Sequence, residues 1–172
     1  MAARRRSRLP SPALAGRLRL LVLDVDGTLT DGALYFGADG EQLKVFHVRD
    51  GHGVKLLQAD GITVAVISGR RHAAVVKRCR DLGIRHIIQG AEDKSRALDV
   101  LLAKLKLDVS QVACIGDDTP DIALFSRVAL GIAVADAHPL ALAAAHRVTT
   151  LPGGRGAVRE ACDWLLDARS RA

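Results

Sequence analysis

The sequence predicts an α/β fold: a Rossmann-like, doubly wound parallel sheet with helices on both faces and a β-hairpin inserted early. Three observations predict it. Short apolar runs of strand length alternate with segments of helical period along nearly the whole chain, the pattern of right-handed βαβ units. Two of those runs, LRLLVLD and QVACIGDD, end in aspartates, and ligands of such sheets bind beyond the carboxyl ends of the strands. Gly61 and Gly83 stand where helices should stop.

The elements follow in order. Residues 18–24, LRLLVLD, form a buried strand, and residues 30–48 two short strands turning at Ala38-Asp39-Gly40. Asp50 to Asp60 reads as a helix, TVAVIS as the next buried strand, and Arg71 to Leu82 as a helix with Val75, Cys79 and Leu82 on one face. IRHIIQ is a strand. Asp93 to Leu107 is the clearest helix, its Leu98, Leu101, Leu102 and Leu105 forming one stripe. QVACIGDD, a short helix from Pro120 to Ser126, VALGIAVA, a helix from His138 to Ala145 and an edge strand from Arg147 to Thr150 continue the alternation. The loop LPGGRG leads into a last helix with Val158, Ala161, Cys162 and Leu165 on its apolar face.

At 172 residues, 49% hydrophobic and 26% charged, the chain fits one globular domain. Aromatics make up only 3%, so the core is aliphatic. The net charge of +6 is local: Arg4, Arg5, Arg6, Arg8, Arg17 and Arg19 precede the first acid, Asp24, and the remaining 19 basic residues match the 19 acidic ones. That distribution places a basic, disordered arm at residues 1–17 and a single domain at 18–172, and argues against a nucleic-acid binder with a basic stripe on its folded surface. No window approaches a membrane span. Cys79, Cys114 and Cys162 are isolated and odd in number, which reads as reduced thiols in a cytoplasmic protein.

Asp24 and the pair Asp117-Asp118 end two different strands. If those strands are neighbours, several carboxylates crowd together, and a hard divalent cation such as Mg²⁺ relieves their repulsion. An aspartate at a strand end also caps the following helix, but two such clusters in one alternating chain favour the metal. Ser68, in ISGR, ends another buried strand before a helix, where a hydroxyl and free N–H groups can cradle a phosphate. Lys94 opens a helix, where its charge opposes the macrodipole; beside a phosphate it would neutralise charge in a transition state.

DVDGTLTDG, ISGR, Lys94 and GDDTPD, in that order and context, resemble the haloacid dehalogenase superfamily of phosphohydrolases, over Leu18 to about Leu166. The resemblance implies a nucleophilic Asp24 that forms an aspartyl-phosphate and an acid/base Asp26. It implies Mg²⁺ held by Asp24, Asp117 and the backbone carbonyl of Asp26, with Asp118 and Asp121 ordering metal waters or Lys94. The gaps from Asp24 to Ser68 and from Ser68 to Lys94 are too short for the cap domain that usually closes such sites, so a neighbouring subunit is expected to close this one.

KVFHVRDGHGVKLL, VADAHPLA and GGRGAVREACDWLL narrow the resemblance to the 3-deoxy-D-manno-octulosonate 8-phosphate phosphatases of lipopolysaccharide biosynthesis. The related N-acylneuraminate 9-phosphate phosphatases, or a generalist sugar phosphatase, are the alternative; a non-catalytic scaffold subunit fits the intact acid–lysine set poorly. The resemblance implies a homotetramer acting on a small acidic sugar phosphate. Its sugar pocket would use His47, Val48, Arg49, Asp50 and Gly51, with positive charge from Lys55, Arg70, Arg78 and Lys94. A mobile tail would carry Arg155 to a neighbour's substrate. The sequence departs from the family pattern at 47, often Asn, and at 55, often Arg.

Overall fold

The computed structural model describes residues 10–172. Its strands are Leu20–Leu23 (β1), Tyr35–Gly37 (β2), Gly40–Leu43 (β3), Thr63–Ser68 (β4), His86–Gln89 (β5), Val112–Gly116 (β6), Leu130–Ala133 (β7) and Arg147–Val148 (β8). The helices are Pro12–Arg17 (α1), Val48–Ala59 (α2), Ala73–Asp81 (α3), Lys94–Leu105 (α4), Thr119–Phe125 (α5), Pro139–Ala144 (α6) and Ala157–Arg169 (α7). A 3-10 turn at Val109–Gln111 precedes β6.

Six strands form one parallel sheet in the order β5-β4-β1-β6-β7-β8, and β2 and β3 pair separately as the antiparallel hairpin. The chain winds outward from β1 through β4 to β5, then returns to the other side of β1 and winds outward again. Strand order therefore reverses between β1 and β6, where a doubly wound sheet opens a crevice for its ligand. The register Leu20↔Val112 through Leu23↔Ile115 brings the ends of these two strands level, so Asp24 follows β1 directly beside the turn that carries Asp117.

Every residue of β1, β6 and β7 is buried, as expected for parallel strands covered on both faces. Val54 and Leu57 of α2 and Val158, Ala161, Cys162 and Leu165 of α7 are buried together in the core. Leu98, Leu101 and Leu102 of α4 supply the apolar stripe read from the sequence. The caps explain where helices begin. His72 accepts from the Ala74 N–H, and Asp93 accepts from the Arg96 N–H, so α3 and α4 start just inside the predicted limits.

The expected disordered arm needs correcting at its C-terminal end. Residues 12–17 form α1: Ser11 accepts from the Leu14 N–H, Pro12 occupies the first turn, and Ala15 is fully buried. Arg169 of α7 donates to the Ala15 and Leu18 carbonyls at 3.1 and 3.2 Å, which clamps α1 to the body. The rest of the predicted arm, residues 1–9, lies outside the described residues.

Candidate active site

The β1–β6 junction gathers the strand-end acids. Carboxylate oxygens of Asp24, Asp117 and Asp121 lie within 4.8 Å of one another. Lys94 Nζ sits 2.6 Å from Asp24 Oδ1 and 2.6 Å from Asp121 Oδ1, and all three side chains are buried. The other oxygen of Asp121 accepts from the N–H groups of Asp117 and Asp118 at 3.0 and 3.3 Å. Asp121 is thus committed on both oxygens to Lys94 and to the turn, which leaves Asp24 and Asp117 as the cation-facing pair.

Burial raises the Asp117 carboxyl to about 8, reinforced by Asp24 and Asp121. Burial likewise raises Asp24 to about 6, against the pull of Lys94. Burial opposes the charge on Lys94 as well, but Asp24 and Asp121 together hold its pKa above the ordinary value. With all three acids ionised, Lys94 offsets one of the three negative charges, and one divalent cation would balance the other two. The donors are all oxygen, and that chemistry fits a hard ion such as Mg²⁺.

The DVDGTLTDG turn is built to bring these groups close. Gly27 has φ +88°, and a Cβ there would lie 2.1 Å from Asp117 Oδ2, so only glycine allows the turn and the approach together. Thr28 donates to Asp117 Oδ1 at 3.4 Å, and Thr30 donates to the Val25 carbonyl at 3.3 Å. Ser68 ends β4, the neighbour of β1 on the other side, and is buried.

Asp26 lies at the open side of this floor. Lys44, just past β3, forms an ion pair with Asp26 Oδ1, and Arg70 Nε lies 3.9 Å from Oδ2. Glu41 joins both cations, 2.6 Å from Lys44 and 2.8 Å from Arg70. Hydrogen bonds from Lys44 and Arg70 hold the Glu41 carboxyl below its usual range. Sequence reasoning missed Lys44 and Glu41, because nothing in a short polar strand announces which residue of the body it will meet.

The sugar-pocket set comes together only in part. Arg70 reaches Asp26. Asp50 corrects its expectation: it is buried and accepts from the Arg159 and Gly156 N–H groups at 2.8 and 3.3 Å, so it caps α7 and offers no oxygen to a sugar. Burial raises its pKa despite those donors. Gly51 is buried where the Arg78 side chain crosses α2; a Cβ there would lie 2.4 Å from Arg78 Nη2. His47 caps α2 through Nδ1, while Val48 and Lys55 are exposed. Arg49 lines a groove of about 500 Å³ with Thr150, Arg159, Glu160 and Trp164, not the acidic floor. Of the two acids expected to order metal waters or Lys94, Asp121 holds the lysine, while the Asp118 carboxylate accepts from the Thr119 N–H at 2.6 Å.

The loop carrying Arg155 is docked in its own chain. Gly153 packs so closely that a Cβ would lie 1.7 Å from the Gly27 carbonyl oxygen, and Gly154 N–H donates to the Thr28 carbonyl at 2.9 Å. Arg155 is exposed and lies 3.3 Å from Asp31. The expected mobile tail is therefore a strap across the DVDGTLTDG turn in this chain.

Such a sheet, with strand-end aspartates and a buried lysine between them, defines a phosphohydrolase of the haloacid dehalogenase class. A haloacid dehalogenase-like hydrolase family model matches residues 84–158. The 3-deoxy-D-manno-octulosonate 8-phosphate phosphatase KdsC of Yersinia pestis is 50% identical over 157 residues, 91% of this chain and 84% of that protein. A crystal structure of the Yersinia pestis phosphatase superposes with a TM-score of 0.90 at 49% identity, covering 93% of this chain and 86% of the other. The Moraxella catarrhalis phosphatase, solved in complex with magnesium ion, phosphate ion and KDO, matches with a TM-score of 0.89 at 41% identity, covering 93% and 92%. The chain belongs to the haloacid dehalogenase-like hydrolases, in the family of the 3-deoxy-D-manno-octulosonate 8-phosphate phosphatases.

Proposed function

We propose that this enzyme is a magnesium-dependent phosphatase that hydrolyses 3-deoxy-D-manno-octulosonate 8-phosphate to 3-deoxy-D-manno-octulosonate and phosphate. The observation that carries the chemistry is the strand-end floor, with Asp24 held by Lys94 beside Asp117. The named substrate rests on the relatives that cover nearly the whole chain.

Asp24 attacks phosphorus through a carboxylate oxygen and becomes an aspartyl-phosphate. Asp26 gives its proton to the departing sugar oxygen, then takes one from the water that cleaves the aspartyl-phosphate. Lys94 keeps Asp24 oriented and ionised and offsets charge on the transferring phosphoryl group. Ser68 receives a phosphoryl oxygen at the end of β4. Asp24, Asp117 and the Asp26 carbonyl would hold Mg²⁺, which when bound screens the attacking carboxylate from the phosphate and stabilises charge on its oxygens. Asp121 and the Thr28 hydroxyl keep Asp117 and Lys94 in place.

The hairpin supports a further proposal, that copies of the chain assemble and close one another's sites, as a tetramer. Tyr35, Phe36, Leu43 and Val45 are exposed on the hairpin and Val48 just after it, an apolar strip that marks a contact surface. Val48, Arg49, Lys55 and Arg155 face outward, where their proposed substrate role would be met across such a contact. No described helix is long and apolar enough to cross a membrane. The three free, buried thiols support a cytoplasmic setting.

Phosphate release from a panel of sugar phosphates with Mg²⁺ tests this reading. The octulosonate phosphate is expected to be the best substrate, and Asp24→Asn to lose nearly all activity. A fully active Asp24→Asn enzyme would overturn the mechanism; a better neuraminate 9-phosphate substrate would overturn only the sugar assignment.

A further inference from the structure

The hairpin is fastened to the reaction centre through one buried ammonium. The Lys44 side chain is 2% exposed, with Nζ against Asp26 Oδ1 and 2.6 Å from Glu41 Oε1. Glu41 turns its other oxygen to Arg70 Nη2 at 2.8 Å, and its carbonyl lies 3.3 Å from His72 Nε2. Arg70 Nε closes the ring at 3.9 Å from Asp26 Oδ2. The hairpin contributes Lys44 and Glu41, the body Asp26 and Arg70; at 3.9 Å Arg70 makes no hydrogen bond to Asp26 Oδ2, which stays free to carry a proton.

Stability alone gives no reason for this arrangement. Lysine ordinarily carries its charge to water along an apolar stem, and a buried ion pair is often no more stabilising than apolar residues of similar size. The β2–β3 ladder closes the hairpin without it. Nor does so buried a side chain present a surface to a substrate phosphate. What Lys44 does reach is one oxygen of the acid/base residue.

We propose that Lys44 is a positioning residue for Asp26: it occupies Oδ1, leaves Oδ2 to face the leaving oxygen, and so sets the proton donor from the hairpin. This rests on the phosphatase reading above. In the step concerned, a bond forms between an Asp24 oxygen and phosphorus as the ester P–O bond breaks. The bond's electron pair goes to the sugar oxygen, which takes the proton from Asp26 Oδ2. A carboxyl pinned at one oxygen cannot rotate that proton away. Glu41 and Arg70 hold Lys44 and Asp26 in register from either side.

The test compares kcat/KM of the full chain with Mg²⁺ on two esters, octulosonate 8-phosphate and 4-nitrophenyl phosphate. This parameter covers steps only through departure of the leaving group, so the shared hydrolysis of the aspartyl-phosphate drops out. An alkyl leaving oxygen needs the proton; a nitrophenolate does not. Lys44→Met is expected to lower kcat/KM on the sugar ester by about 10–100-fold, and by at least about tenfold less on the aryl ester. Lys44→Arg should restore part of the loss. In an Asp26→Asn background, Lys44→Met should cost nothing further, because the two act as one unit. Equal losses on both esters, or an undiminished loss in the Asp26→Asn background, would overturn the role. If Lys44→Met does not fold, Glu41→Gln should show the same ester-selective loss at smaller size, and an unselective loss there overturns the role equally. A wild type active on the aryl ester but not on the octulosonate ester would sink only the sugar assignment, and glycerol phosphate then serves as the alkyl ester. A wild type inactive on every ester would sink the phosphatase reading and this role with it.

Discussion

Two lysines in this protein each bridge two carboxylates, and they do so in different mechanical settings. Lys94 joins Asp24 to Asp121 on the floor, where every partner starts from a buried strand end or a helix start. Lys44 joins Asp26 to Glu41, where one side of the link is a short hairpin whose apolar residues face outward. On the floor, packing holds the ions; at the hairpin, the ions hold the element. The same pair of side chains is therefore a rigid part of the reaction centre in one place and a latch in the other. Asp24 and Asp26, the proposed nucleophile and acid/base, stand two residues apart in sequence and are held by these two different devices.

Lys94→Met should have the largest effect. It leaves two buried carboxylates facing each other, which costs roughly 3–5 kcal/mol, with activity lost as well. Urea denaturation beside a phosphate-release assay checks this. An unmoved denaturation midpoint would mean that packing alone holds the floor. Next in size is Gly153→Ala, which forces a methyl group into the Gly27 carbonyl and should cost about 1–3 kcal/mol. Thermal melting would show it, together with a fall in kcat as the DVDGTLTDG turn shifts.

The floor also responds to pH. Asp24 and Asp117 have folded pKa values of about 6 and about 8, raised above the ordinary 3.8. Between those limits the folded state binds more protons than the unfolded chain, so stability falls as pH rises from about 4 to about 8. In EDTA the melting temperature should drop across that range. Mg²⁺ competes with protons for the same oxygens and should flatten the drop. A pH-independent melting temperature in EDTA would contradict the crowding of the floor.

The smallest effect on folding is expected from Phe36→Ser with Leu43→Ser, at positions 66% and 60% exposed. Stability of the single chain should change by no more than about 0.5 kcal/mol. Light scattering should nevertheless report a smaller assembly. An unchanged mass would remove the hairpin from the proposed contact.

Much of this was legible in one dimension. Strand-length apolar runs, helical stripes and glycine stops located every strand of the parallel sheet, most sharply β1, β6 and β7, where burial on both faces leaves a dense apolar signature. The acids of DVDGTLTDG and GDDTPD stood out because carboxylates rarely follow buried strands without a partner. Helix α1 went unread although Ser11 and Pro12 are a start signal; the arginines around them dominated that stretch. Asp50 was misplaced because a cap for α7, more than a hundred residues away, leaves no local trace.

The sequence by itself determined the alternation of elements, the strand-end acids and the glycines that let turns approach them, since these depend on periodicity and residue type within a few positions. Only the tertiary structure decided which charges meet. The β1–β6 register set Asp24 beside Asp117, and the docking of the hairpin carried Lys44 to Asp26. Charge pairing acts through space over a few ångströms, and chain order does not encode which distant residues will come that near.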